Sequence, residues 1–351
     1  MPRCRSQRRT SASLPRRNLL AAAAALAVSG CAKSSTMTAS RTPPLDVTRL
    51  DAEVSALGQR AKPGVLGYGV MNLESGQVWT VNGERPFPMQ SVFKMLVGAA
   101  ALAEVDAGRL ALDEAIAIGA KDLSPPRSPI ANAWPGRTVY SVDELLVAAV
   151  SDSDNTAADV LMKRIGGPGA VTAWLHSKKV EEVRVDRYER ELQPDALGMA
   201  SFRPAWRGAA FDAALAFVPP ESRRRATLAY LRDVRDTATP RGMLVFLSSL
   251  DASELLSAAS TRRLVTIMAQ SPRGPERLKA GFPQGSSFAH KIGTGGTNEG
   301  LTTAYNDVGI LTLADRRSYA VAAFLSGSTA DEAARARLLA DLGRATARSL
   351  G

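Results

Sequence analysis

The chain carries only two cysteines, Cys4 and Cys31, and two histidines, His176 and His290, in 351 residues. Two cysteines cannot form a disulfide scaffold, and two imidazoles leave a His-rich zinc site short of ligands. A Ser-His-Asp hydrolase would have to recruit one of those two rings. No internal repeat and no low-complexity tract follows residue 45. What is present is the balance of a globular body: 45% hydrophobic and 22% charged residues, enough for a sizeable core. The formal charge of +10 suggests at first a nucleic-acid or membrane-surface partner. Six arginines and no acid fall in residues 1–30, however, and removing those six from +10 leaves +4 for the rest. The basic excess is therefore mostly N-terminal, and no nucleic-acid partner is expected.

That N-terminus reads as an address. Arg16-Arg17 leads into an apolar run at 19–28, too short to span a bilayer and suited to a signal-peptide core. The run ends in Val28-Ser29-Gly30-Cys31, which resembles a bacterial lipobox with Cys31 as the lipidated residue. An ordinary secretory signal with an incidental cysteine is the alternative. The Arg16-Arg17 pair fits both secretory and twin-arginine export. We expect a lipoprotein-type signal at 1–30, a polar, proline-ended linker at 31–45, and a catalytic domain at 46–351. The expected location is outside the cytoplasm, in the periplasm, tethered to a membrane by lipid on Cys31.

The body alternates between helical and strand patterns. Apolar positions at Leu50, Val54 and Leu57 predict a helix at 46–61, and 64–71 with 77–81 reads as a hairpin around Glu74-Ser75-Gly76. The proline-free apolar run at 91–106 predicts a buried helix, with further helices at 141–150, 156–164 and 168–177. Strands are expected at 287–292, 307–313 and 319–325, and a closing amphipathic helix at 331–349 with Asp331-Glu332 in its first turn. The fold class is α+β: an antiparallel sheet from both chain ends, packed against a helical region, with a site between them.

Of the nine lysines only Lys94 follows a serine by three residues, Ser91. Ser91 opens an apolar helix, so its hydroxyl and N–H lie at the positive end of the dipole, and Lys94 projects from the same side one turn on. A serine near a lysine of lowered pKa is a nucleophile with its base, and a capping serine beside a solvated lysine is the plain alternative. Two further motifs follow in order, Ser153-Asp154-Asn155 after the 141–150 helix and Lys291-Ile292-Gly293-Thr294-Gly295 at the end of a strand.

This set resembles the class A β-lactamase family, the S-x-x-K, S-D-N and K-T-G serine acyl-transferases. Ile165-Gly166-Gly167-Pro168, the stretch from Arg184 to Leu192, and Arg235-Asp236-Thr237-Ala238-Thr239-Pro240 are similar to further family segments, so the resemblance covers roughly residues 50–349. It implies a β-lactamase/D,D-peptidase-like fold and a Ser91 nucleophile, with an oxyanion held by the N–H groups of Ser91 and Thr294. It implies either Lys94 or Glu189 as acylation base, and Glu189 as the carboxylate whose activated water hydrolyses the acyl-enzyme. Ser153 would relay a proton to the leaving nitrogen, Asn155 would hold the substrate's amide and position Lys94, and Lys291, Gly293 and Thr294 would bind the substrate carboxylate. Arg277, in Arg277-Leu278-Lys279-Ala280-Gly281, stands where some members carry an additional arginine for that carboxylate. No cofactor or metal is implied, and the partner is a small β-lactam bound by a monomer.

The chain departs from the family pattern at several points. Ile292 replaces the hydroxyl residue of K-T-G, which removes one hydrogen bond to the carboxylate, worth about 0.5 to 3 kcal/mol. Gln193 stands in place of an asparagine. Arg190 replaces a proline, and a cis bond there would cost about 2.5 to 4 kcal/mol. Arg187 and Asp236, able to pair and close a loop around Glu189, stand 49 positions apart because of an insertion at about 194–232 with helical stretches at 207–217 and 221–232. That insertion is a lid or a docking surface. Gln90 before the nucleophile and Gly295 after Thr294 exclude a disulfide clamping the site. The leading expectation is a β-lactamase acting on penicillins or cephalosporins. A peptidoglycan D,D-peptidase-like acyl-transferase and a non-hydrolytic β-lactam-binding domain are the alternatives.

Overall fold

The computed structural model describes residues 43–351. The signal segment, Cys31 and most of the 31–45 linker lie outside the described residues. Five strands make the main sheet: β1 (Val65–Asn72), β2 (Val78–Val81), β3 (Ser287–Thr294), β4 (Leu301–Thr312) and β5 (Ser318–Ser328). Their order is β2-β1-β5-β4-β3, antiparallel throughout, and the short strand Thr297–Asn298 pairs with β4 as a sixth. The first and last thirds of the chain thus meet in one sheet, with Val65 opposite Ser326 and Lys291 opposite Val308.

Alternation along the strands sorts side chains into two cores. Tyr68 and Val70 of β1 and Tyr319, Val321, Ala323 and Leu325 of β5 join Leu50, Val54, Leu339 and Leu342 on one face. That face is covered by the helices α1 (Val47–Ala61) and α11 (Glu332–Ser349). Ala320, Ala322 and Phe324 point the other way, into the larger core shared with the helical region. Phe87 stacks on Phe324 there, with centroids 5.7 Å apart.

The helical region holds α2 (Phe93–Asp106), α3 (Val142–Val150), α4 (Asn155–Arg164), α5 (Pro168–Ser177) and α6 (Glu189–Leu197). It continues through α7 (Ala209–Ala216), α8 (Pro220–Tyr230), α9 (Pro240–Asp251) and α10 (Ala258–Ala269). α2 is buried over ten of its residues, Phe93 to Leu102, so it runs through the centre of this region. Ser141 caps α3 with a capping box to Glu144, and Asp154 caps α4 through Ala157 N.

Two boundaries differ from the sequence reading. The predicted helix at 91–106 is split: Gln90–Val92 is a 3₁₀ turn, and the α-helix starts at Phe93. Gln90 sits at φ 49, a left-handed conformation that sets the turn off from the helix and is uncommon for a side-chain-bearing residue. The predicted strand at 307–313 begins earlier, at Leu301, because 302–306 pairs with β3 and the end of β5 through backbone bonds that leave no apolar alternation to read. Among the described residues no helix is long and apolar enough to cross a membrane.

Candidate active site

Ser91 lies in the 3₁₀ turn at the head of α2 and is partly exposed. The turn is held from two sides. Met89 N donates to Asp236 O at 3.0 Å, and Asn306 Nδ2 donates to Pro88 O at 2.8 Å and Met89 O at 3.1 Å. Gly293 of β3 passes so close that a Cβ there would stand 2.2 Å from Met89 O. Only glycine allows the strand carrying Lys291 and Thr294 to reach the turn carrying Ser91.

Lys94, in the first turn of α2, is fully buried. Its Nζ donates to Ser153 O at 2.7 Å and Asn155 Oδ1 at 2.5 Å, and stands 3.0 Å from Glu189 Oε1. The last is an ion contact outside hydrogen-bond geometry, so Glu189 Oε1 is buried without a hydrogen-bond donor. Glu189 Oε2 accepts from Gln193 Nε2 at 2.7 Å. A lysine and a glutamate 95 positions apart in sequence are thus paired out of water.

Ser153 occupies a left-handed conformation at φ 66, and its Oγ accepts from Lys291 Nζ at 2.9 Å. Asn155 Nδ2 donates to Pro126 O at 2.7 Å, which orients the amide oxygen toward Lys94. Asp154 points away into the protein, taking Ile130 N and Ser128 Oγ at 2.8 Å each, and burial pushes its carboxyl up. Lys291 is buried, and burial, reinforced by the neighbouring Lys94 charge, holds its ammonium well below the usual lysine range.

Arg277 is no solvated surface residue: only 3% is exposed. Its Nη2 donates to Thr294 Oγ1 at 2.7 Å, its Nη1 to Asn306 O at 2.7 Å, and its guanidinium lies 3.7 Å from the Tyr305 ring centroid. The structure therefore gathers Ser91, Lys94, Ser153, Asn155, Glu189, Lys291, Gly293, Thr294 and Arg277 at the junction of sheet and helices. Lys94, Lys291 and Arg277 outnumber the single acid Glu189, a field that favours an anionic ligand. The two histidines lie elsewhere. His290 Nδ1 is 2.6 Å from Asp307 Oδ1, but strand alternation turns it away from Lys291 toward Phe288, 4.7 Å off. His176 is exposed at the end of α5.

Residues 49–350 match the family model of the β-lactamase enzyme family. The chain is 31% identical to the extended-spectrum β-lactamase PER-1 of Pseudomonas aeruginosa, over 79% of this chain and 78% of that one. It is 28% identical to β-lactamase VEB-1 of the same organism, over 82% of this chain and 86% of that one. A crystal structure of a β-lactamase from Chitinophaga pinensis matches with a TM-score of 0.70 at 30% identity, covering 86% of this chain and all of the other (100%). The reconstructed class A β-lactamase of the last common ancestor of Gram-negative bacteria matches with a TM-score of 0.69 at 33% identity, over 84% of this chain and 98% of that one. The chain belongs to the class A β-lactamase family. It is a hydrolase, with the α+β fold of these enzymes.

The loop bearing Glu189 is long and held by ion pairs. Arg187 Nε bonds Asp236 Oδ2 at 2.6 Å, closing the loop across its 49-residue span, and Arg187 Nη1 also reaches Asp195 at 3.0 Å and Asp233 at 3.2 Å. Among the described residues every cis peptide precedes a proline, so the bond between Glu189 and Arg190 is trans. The insertion is docked on the body. α8 packs on α6 and on the sheet edge at Thr297–Asn298, and Arg207 donates to Trp134 O at 2.6 Å.

Three residues escaped the sequence reading. Asp159 takes the backbone N–H of Glu189 at 2.7 Å, that of Arg190 at 3.1 Å, and Ser124 Oγ at 2.6 Å, so it hangs the start of α6 on α4. Its signal was legible: an acid in an apolar helical stretch, four residues after Asn155 and so on the same face. Gln90 and Tyr230 left no such signal, because their meeting depends on how the insertion folds back.

Burial lifts the Asp159 carboxyl from 3.8 to about 7. The folded state thus binds this proton more tightly than the unfolded chain. The group favours the fold fully below about pH 4, and that contribution is lost as pH rises through about 7. Asp159→Asn cannot titrate, so wild type should lose stability relative to the variant across that window, by up to about 1.4 kcal/mol per pH unit. Melting temperatures of the two proteins at a series of pH values check this, and parallel curves would refute it.

Proposed function

We propose that the chain hydrolyses the four-membered ring of penicillins and cephalosporins through an acyl-enzyme on Ser91. The observation that carries the reading is the buried Glu189 carboxylate beside Lys94, with one oxygen, Oε1, free of any hydrogen-bond donor. That oxygen can take a proton from a water. Lys94, already engaged by Ser153 O and Asn155 Oδ1, stands 3.0 Å from that oxygen.

In acylation the Ser91 Oγ bonds to the lactam carbonyl carbon while its proton passes to Lys94 or, through a water, to Glu189. The oxyanion is met by the N–H groups of Ser91 and Thr294. The lactam C–N bond breaks, the nitrogen takes the proton of Ser153 Oγ, Lys291 replaces it, and the proton first taken from Ser91 returns to Lys291, leaving Glu189 unprotonated for the next step. In deacylation a water attacks the ester carbonyl, Glu189 takes its proton, and that proton passes to Ser91 Oγ as the ester C–O bond breaks. Asn155 holds the substrate's amide side chain. Lys291, Thr294 and Arg277 bind the substrate carboxylate, and Arg277, buried and joined to Thr294, supplies charge to offset the hydroxyl missing at Ile292. The test is turnover of a chromogenic cephalosporin with mass spectrometry of the protein. Turnover that depends on Ser91 supports the reading, and a wild-type adduct that persists would favour an acyl-transferase or a binding domain.

The same reading places the mature enzyme as a monomer outside the cytoplasm, in the periplasm, tethered by lipid on Cys31. Chain extracted from membranes should have an intact mass above that of residues 31–351 by its acyl chains. An unmodified Cys31 in that material would remove the lipid from the proposal.

A further inference from the structure

The last residue of α8, Tyr230, is 4% exposed although it belongs to the insertion. A buried phenol needs a partner. Here the partner is Gln90, the neighbour of Ser91, whose Nε2 donates to the Tyr230 hydroxyl at 2.7 Å. Gln90 Oε1 in turn accepts from Gln193 Nε2 at 3.4 Å, and the same Gln193 Nε2 donates to Glu189 Oε2 at 2.7 Å. The polarity of this chain is imposed from one end. An ionised carboxylate only accepts, so Gln193 must present its NH₂ to Glu189. The other hydrogen of that NH₂ then goes to an oxygen, which turns the Gln90 carbonyl toward Gln193 and the Gln90 NH₂ toward Tyr230. Tyr230 is the acceptor that lets the last amide hold this orientation, and the Arg187 guanidinium, 5.8 Å from its ring centroid, ties the same tyrosine to the ion pair closing the loop.

We propose that Tyr230 is a positioning residue for deacylation: through Gln90 and Gln193 the insertion orients the Glu189 carboxylate that activates the hydrolytic water. This rests on the reading of Glu189 given above. It makes the insertion part of the machinery, supplying the last acceptor of a hydrogen-bond chain that ends on the catalytic carboxylate. Substrate carboxylate binding involves none of these three amide and phenol groups, and acylation has Lys94 as a second base beside Glu189, so acylation should depend on them less than deacylation does.

Tyr230→Phe removes one oxygen and keeps the ring in place. The expected result is a deacylation rate about two- to ten-fold lower, the equivalent of one hydrogen bond, with a smaller effect on the acylation rate and a larger acylated fraction by mass spectrometry at steady state. Gln90→Met, which cuts the same link from its other side, should slow deacylation by a similar factor and serves if Tyr230→Phe does not fold. In a Gln193→Ala background Tyr230→Phe should have no additional effect on deacylation, since the chain is already broken. A deacylation rate unchanged in both Tyr230→Phe and Gln90→Met, or losses that simply add in the double variant, would overturn the inference while leaving the Glu189 reading intact. A wild-type protein that acylates and stays acylated would overturn both.

Discussion

Ser91→Ala is expected to lower kcat by on the order of 10⁴-fold or more and to abolish any covalent adduct. The serine lies at the head of α2, partly exposed, with nothing in the described structure holding its side chain. Its loss removes the nucleophile without disturbing the core, so the folded fraction and the melting temperature should stay near those of the parent. Substrate binding should survive as well, because Lys291, Thr294 and Arg277 are untouched. The measurement is steady-state cleavage of a chromogenic cephalosporin together with intact-mass analysis of protein mixed with a penicillin. Turnover within ten-fold of the parent would mean that another group attacks, and the acyl-enzyme route would have to be abandoned.

Glu189→Gln is expected to separate the two halves of the reaction. The amide cannot take a proton from water, so deacylation should fall roughly 10²- to 10⁴-fold, the usual worth of a general base. Product should appear as a burst of one equivalent, with the protein then carrying the mass of the opened lactam. The variant has a second consequence. Lys94 Nζ loses the only anion within ion-pair distance among the described residues, and a buried charge deprived of its partner costs about 3 to 5 kcal/mol. A lower melting temperature should therefore accompany the adduct. Full turnover in Glu189→Gln with no adduct would show that another group activates the water.

Much of this site could be read along the chain because its parts are local. Ser91 and Lys94 share one helical turn, Ser153 and Asn155 one tight turn before α4, and Lys291 to Thr294 one strand end, and each spacing is set by backbone geometry alone. The expectation of a lysine-based, imidazole-free chemistry came from there being only two histidines, and the alternating strands at both chain ends already implied a shared sheet. Arg277 was nominated by its surrounding residues, but not its state. Whether an arginine is solvated or buried over Tyr305 depends on residues 28 positions apart meeting across β4, as these do at 3.7 Å.

What local pattern could not convey is how groups from distant segments share one dry space. Lys94 meets Glu189 only because Asp159 suspends the backbone of Glu189 from α4, and Gln90 meets Tyr230 only because the insertion folds back onto α6. Polar contacts between segments 95 or 140 residues apart leave no periodicity in sequence. The order and spacing of residues thus pointed to the elements, the sheet built from both chain ends and the candidates for the reactive side chains. Packing settled which of those side chains are desolvated, which way each amide points, and that the insertion reaches Gln90 beside Ser91, because burial and hydrogen-bond direction are properties of neighbours in space.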